Sequence, residues 1–190
     1  SGAILIRANL ALADLTGADL SGANLEGANL TDAILTGASL CGATLRSAKL
    51  INADLTDTNF TGADLYHANL TGADLTGADL SLANLHYAIF AGADLTGAYL
   101  VCADLSNADF TDANLINANL RRANLTSAKL CRANLREAYL SNANLTDAEL
   151  TDANLTNANL TNANLTDAKM PEGFFESQKP RVKKESETEL

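Results

Sequence analysis

The chain contains no tryptophan, and aromatic residues make up 5% of its 190 positions. A varied enzyme core of this size normally draws on more of them. Cysteine is scarce and odd in number: Cys41, Cys102 and Cys131. Without a CxxC spacing they fit neither a disulfide framework nor a zinc site. They read as free thiols in a reducing compartment, which points to the cytoplasm. Bases are also few, with 13 Lys and Arg against 23 Asp and Glu, for a net charge of −10. That balance argues against a nucleic-acid binder, which needs cations to displace counterions from phosphates. It argues equally against docking on an anionic membrane. No apolar run approaches the roughly 20 residues that span a bilayer. No leader peptide is visible, and the chain begins inside a repeat, as it would had an upstream segment been removed.

What the chain has in abundance is leucine and alanine, within a hydrophobic share of 47%. Their arrangement is periodic. Leu recurs every fifth residue from Leu5 to Leu165, replaced by Phe60, Phe90 and Phe110, and Met170 closes the series. Ala stands two residues before each, from Ala3 to Ala168, with Thr58 as the exception. The first 170 residues in blocks of five make 34 units in one register. Asn or Asp mostly separates the Ala from the Leu. Thr or Ser follows, then Gly, Asn or Asp.

A period of five fits no ordinary element. On an α-helix five residues advance about 500°, which would spread the leucines over every face. On a flat strand the odd spacing would send them to alternate faces. The pattern is satisfied if the chain bends after each short extended piece. Ala and Leu, two apart, then point inward together and the residue between them points out. The next two residues turn the corner. Eleven of the second corner positions are Gly, including Gly17, Gly62 and Gly97. Gly, Asn and Asp tolerate the positive φ that a type II turn requires at its third position.

The units, such as Ala63-Asp64-Leu65 and Ala153-Asn154-Leu155, resemble the A(D/N)Lxx repeat of the pentapeptide-repeat family over about residues 3–170. The resemblance implies an all-β fold, a right-handed quadrilateral β-helix with four units per coil. Residues i and i+20 would then stack. Dividing 34 units by four gives about 8.5 coils, a rod about 40 Å long at strand spacing. Residues 1–170 form this β-helix. Segment 171–175, with Phe174 and Phe175, is expected to cap the last coil. Residues 176–190 read as a disordered charged tail. The outward Ile4, Ile6 and Leu12 make the first coil more apolar than later ones, which suits either a monomer shortened there or an end-to-end dimer.

Leu and Ala fill the core, so function falls to the outward positions. Between residues 51 and 115 there are nine Asp and no Lys or Arg. Under the twenty-residue rule Asp54, Asp74 and Asp94 stack, and Asp64 and Asp104 lie on the same coils. They suggest a surface for a basic partner, against the plainer reading that Asp and Asn interchange freely there. Carboxylates also suit calcium, but nothing resembles a dedicated binding loop, and no cofactor is implied. Tyr66 stacks on His86 and His67 on Tyr87, which gathers both histidines at one corner. Exposed aromatics are enriched at protein interfaces. No nucleophile is expected beside either histidine, and no catalytic role is assigned. Arg121, Arg122, Lys129, Arg132 and Arg136 form a basic stretch. Residues 1–115 carry 13 acids and 3 bases, and residues 116–170 carry 5 acids and 6 bases, so the rod is electrically polar along its axis.

The leading expectation is a non-catalytic scaffold that binds an unidentified protein along one rigid face. The Met-Pro-Glu-Gly ending after the last unit is similar to endings of cyanobacterial members of the family. Two alternatives stand beside it. Members that confer quinolone resistance mimic DNA and bind DNA gyrase, and the negative charge suits that role. Against it, this chain has no insertions between units and its C-terminal third is nearly neutral. The other alternative is a rigid spacer from a larger protein.

Overall fold

The computed structural model describes residues 2–174. Every parallel bridge in it joins a residue to the one twenty positions on, from Ile4–Asn24 to Glu149–Lys169. Twenty residues are four units, so each turn of the coil has four sides. The bridging residue is the middle one of each inward pair, Ala-x-Leu or a variant of it such as Thr58-Asn59-Phe60. One side runs from Ile4 to Asn164, the second from Asn9 to Lys169, the third from Asp14 to Asn154 and the fourth from Asp19 to Asn159. A side is a single bridge wide, because the chain turns again as soon as Leu has entered the core.

The corners are type II turns. The Leu5 carbonyl accepts the Ala8 N–H at 3.0 Å, and Arg7, third in that turn, has φ 53°. The positive φ recurs at every second corner position through Asp167. Glycine adopts it without a Cβ penalty, and Asn and Asp tolerate it. Bulkier residues adopt it too, among them His67, Leu82, Tyr87 and Cys102 on two neighbouring corners, at φ between 57° and 60°. For such L side chains the conformation costs about 1–2 kcal/mol.

The backbone accounting explains why Asn and Asp dominate the outward position. In one unit, Asn24 N–H donates to Ala3 C=O, Leu25 N–H to Thr44 C=O, Gly27 N–H to Arg46 C=O and Ala28 N–H to Leu25 C=O. The remaining donor, Glu26 N–H, goes to the Asn24 side-chain oxygen at 3.1 Å. The same Asx contact serves Thr16, Ser21, Thr31, Thr56 and many later corners. Asn and Asp are therefore corner caps as well as outward polar residues.

The core is a stack of Leu and Ala, nearly all fully buried from Ala23 to Leu150. Phe60, Phe90 and Phe110 are accommodated within it, and the rings of Phe90 and Phe110 lie parallel with centroids 4.7 Å apart. Thr58, also buried, donates its hydroxyl to the Leu35 carbonyl at 2.8 Å. Ile4 and Leu12 stand 80% and 76% exposed on the first coil, as their outward positions require. Beyond Met170, Gly173 takes φ 71° and Phe174 is half-buried. Phe175 and the tail at 176–190 lie outside the described residues.

Candidate functional site

The corner between the first and second sides carries two columns. Arg46, Tyr66, His86 and Ser106 follow one another at the first corner position. Ser47, His67, Tyr87 and Asn107 do so at the second. Twenty-residue stacking brings the rings together: Tyr66 on His86 at 5.8 Å and His67 on Tyr87 at 4.8 Å between centroids. Edge contacts join the columns, Tyr66 to His67 at 4.5 Å and His86 to Tyr87 at 4.2 Å. The four aromatic side chains thus form one two-by-two plaque.

Polar contacts fix the plaque at both ends. The Arg46 guanidinium lies 4.6 Å from the Tyr66 ring centroid and 3.0 Å from an Asp64 carboxylate oxygen. Asn84 also donates to Asp64, at 2.9 Å. At the other end His86 Nδ1 is 2.6 Å from Ser106 Oγ, and Ser106 donates to Asp104 at 2.6 Å. The expectation that no nucleophile stands beside either histidine is therefore corrected: Ser106 is buried against His86, twenty residues on. The stacking rule that paired the rings reaches this residue too. The direction of the hydrogen bonds opposes nucleophilic activation. The single Ser106 proton is committed to Asp104, so His86 Nδ1–H donates to the serine instead of accepting its proton. Asp104, Ser106 and His86 form a chain that orients the imidazole.

Asp54, Asp74 and Asp94 bridge in sequence down the third side. Each accepts the N–H of its own corner threonine, Thr56, Thr76 or Thr96. Asp54 accepts the Thr36 hydroxyl as well, at 2.9 Å. The Thr56 N–H first, then the hydroxyls of Thr56 and Thr36, hold the Asp54 carboxyl below the usual carboxylate range, against a smaller opposing effect of burial. The basic stretch is largely engaged within the chain. Arg132 makes a two-pronged contact with Asp112, both distances 2.6 Å, and Arg121 stacks on Tyr139 at 5.0 Å. Lys169 pairs with Glu149 at 2.8 Å. Among the described residues no three His, Cys, Asp or Glu side chains converge as metal ligands, and no helix is long and apolar enough to cross a membrane.

The family model for pentapeptide repeats matches residues 1–32, 23–62, 63–100, 98–136 and 133–170, in eight copies. The chain belongs to the pentapeptide-repeat family. Its sides and corners accordingly build the right-handed quadrilateral β-helix expected from the repeat. This pentapeptide-repeat protein is similar to HetL of the cyanobacterium Nostoc sp. strain PCC 7120, a protein involved in heterocyst differentiation regulation. The two are 36% identical over 90% of this chain and 91% of HetL, with a TM-score of 0.66. A trypsin-treated form of QnrB1, a plasmid-mediated fluoroquinolone resistance protein, shares the fold at 19% identity, over 93% of this chain and 92% of that one, with a TM-score of 0.72. No curated protein matches the chain.

Sequence reasoning missed Arg46, Ser106 and the pair Tyr99 and Tyr139. All four lie in twenty-residue columns with residues already singled out or with each other's neighbours. Extending the rule along whole columns would have found them.

Proposed function

We propose that this pentapeptide-repeat protein is a non-catalytic scaffold, a rod of about 8.5 coils that binds a protein partner through the plaque of Tyr66, His67, His86 and Tyr87. The observation that carries this reading is the rigid preparation of an exposed aromatic surface. Tyr87 is 41% exposed, yet stacking, Arg46 and the chain Asp104–Ser106–His86 already fix its neighbours. A surface ordered in advance loses little side-chain entropy on binding. His67 and Tyr87 also hold corner positions where glycine would cost less. Kinship with HetL supports a regulatory contact. The free cysteines support a reducing, cytoplasmic setting.

The test replaces His67 and Tyr87 by glycine, which suits the backbone at both corners. Wild type and variant are used as bait in lysate at low and high salt. The partner is expected on wild type and absent from the variant. Equal capture by both would remove the plaque from the interface.

A second reading rests on the third side, where Asp54, Asp74 and Asp94 align within a stretch free of Lys and Arg. It makes the rod a mimic of DNA that binds DNA gyrase. The internal bonds of Asp54 weigh against it. Unchanged gyrase supercoiling at micromolar protein would dismiss it.

A further inference from the structure

The fourth side and the corner after it repeat one motif with a telling difference. Tyr99 and Tyr139 both project from this side, two coils apart. Arg121 stands eighteen residues before Tyr139 and its guanidinium covers that ring, 5.0 Å from the centroid. Eighteen residues before Tyr99 stands Ser81, which offers no such cover, and Tyr99 is 51% exposed against 41% for Tyr139. The residue bridged to Tyr139 on the preceding coil is Asn119, and the one bridged to Tyr99 is Asp79. A carboxylate, one oxygen of which accepts the Ser81 N–H at 2.9 Å, therefore stands on the coil before the ring that has no guanidinium, and a neutral amide on the coil before the ring that has one. Leu82 is 65% exposed at the adjoining corner, next to Val101. The nearest bases in sequence are Lys49 and Arg121.

The chain shows elsewhere what such a pairing accepts. Arg46 lies on the Tyr66 ring and pairs with the Asp64 carboxylate beside it. A ring face and a carboxylate together select a planar cation, which stacks and forms ion-paired hydrogen bonds at once. A lysine ammonium lacks the planar stacking. We propose that Tyr99 and Asp79 receive an arginine side chain from a protein partner, with Leu82 and Val101 taking an aliphatic residue beside it. This rests on the reading of the rod as a protein-binding scaffold, but it places a second contact away from the plaque.

The probe is the peptide acetyl-Gly-Val-Arg-Val-Gly-amide, titrated into the full chain while NMR follows the Tyr99 ring and the Asp79 and Ser81 amides. The control peptide carries citrulline, which keeps the shape of arginine without its charge. Two variants accompany it. Ser81→Arg places a guanidinium where Arg121 stands relative to Tyr139, and Asp79→Asn restores the residue found beside Tyr139. Both residue types occur at equivalent positions, so the fold tolerates them, and far-UV circular dichroism checks this. The expected result is localised shifts with the arginine peptide and binding weakened about tenfold by citrulline, Ser81→Arg or Asp79→Asn, the scale of losing a ring contact and an exposed ion pair. Equal binding of the citrulline peptide, or indifference to Ser81→Arg, would overturn the proposal. The peptide assay leaves His67 and Tyr87 untouched and the lysate assay leaves Tyr99 untouched, so either contact can fail without the other.

Discussion

Gly62 and Gly72 share the same backbone demand but not the same surroundings. Their φ values are +65° and +66°. A Cβ at Gly62 meets nothing within 4 Å, whereas a Cβ at Gly72 meets the Asn52 side-chain oxygen at 2.6 Å. Alanine at either site suffers the left-handed penalty of about 1–2 kcal/mol. Restriction of the unfolded chain offsets about 0.4–1 kcal/mol of it. Gly62→Ala should therefore destabilise by about 0.5–1 kcal/mol. Gly72→Ala must also push Asn52 aside, which breaks the 3.3 Å bond from Asn52 to Asp32. The loss of that bond adds about 0.5–1 kcal/mol. In an Asn52→Ala background the obstacle is gone, and alanine at residue 72 should cost no more than at residue 62. Urea denaturation of the four variants measures this, with hydrogen exchange of the Asn52 amide reporting the local coil. Equal costs at the two glycines, or no recovery in the double variant, would refute the argument.

Other outcomes follow from the core and the acid limb. Thr58→Ala restores the repeat but should destabilise by about 1–2 kcal/mol, because it removes the bond to Leu35 and a buried methyl group; denaturant midpoints decide it. Phe110→Leu should cost about 1–2 kcal/mol through the lost stack on Phe90 and the space left behind, and Phe90→Leu should add little once Phe110 is gone. The depressed Asp54 carboxyl contributes stability that is fully present above its unfolded value and is lost as pH falls through the lower folded one. Asp54→Asn should accordingly flatten the acid limb below a pH of about 4 in thermal melts; an unchanged limb would show that Asp54 contributes nothing there.

The inward pair and the turn were legible because their signals are local: leucine at every fifth position, alanine two before it and glycine at the corner. The number of sides was not, and the twenty-residue stacking that placed Tyr66 against His86 and His67 against Tyr87 came from the resemblance to the family. The role of the outward Asn and Asp was half legible. Their polarity says that they face water, but the capping of the following N–H appears only when the backbone donors of one unit are counted, as for Glu26 and Asn24. Ser106 escaped because serine is an ordinary corner residue, and its meaning depends on His86 above it. Tyr99 escaped for the opposite reason: its distinction is the small Ser81 beside it, and a small side chain leaves no mark in composition.

The hydrogen-bond pattern of the Glu26 unit has a consequence for how such chains vary. The donors and acceptors that one coil offers upward are those that every other coil offers upward, and the same holds downward. No coil is addressed to a particular neighbour. Length is therefore free in steps of twenty residues, while any other step would rotate every later side chain onto a different side. Excising residues 61–80 should join Asp54 to Asp94 and Asn59 to Tyr99 as bridge partners, closing the rod without a seam. The plaque would lose Tyr66 and His67 together, and the side chains beyond it would keep their bearing. In such a protein distance along the axis behaves as a ruler with fixed graduations, on which surfaces can be moved apart or together without being redesigned.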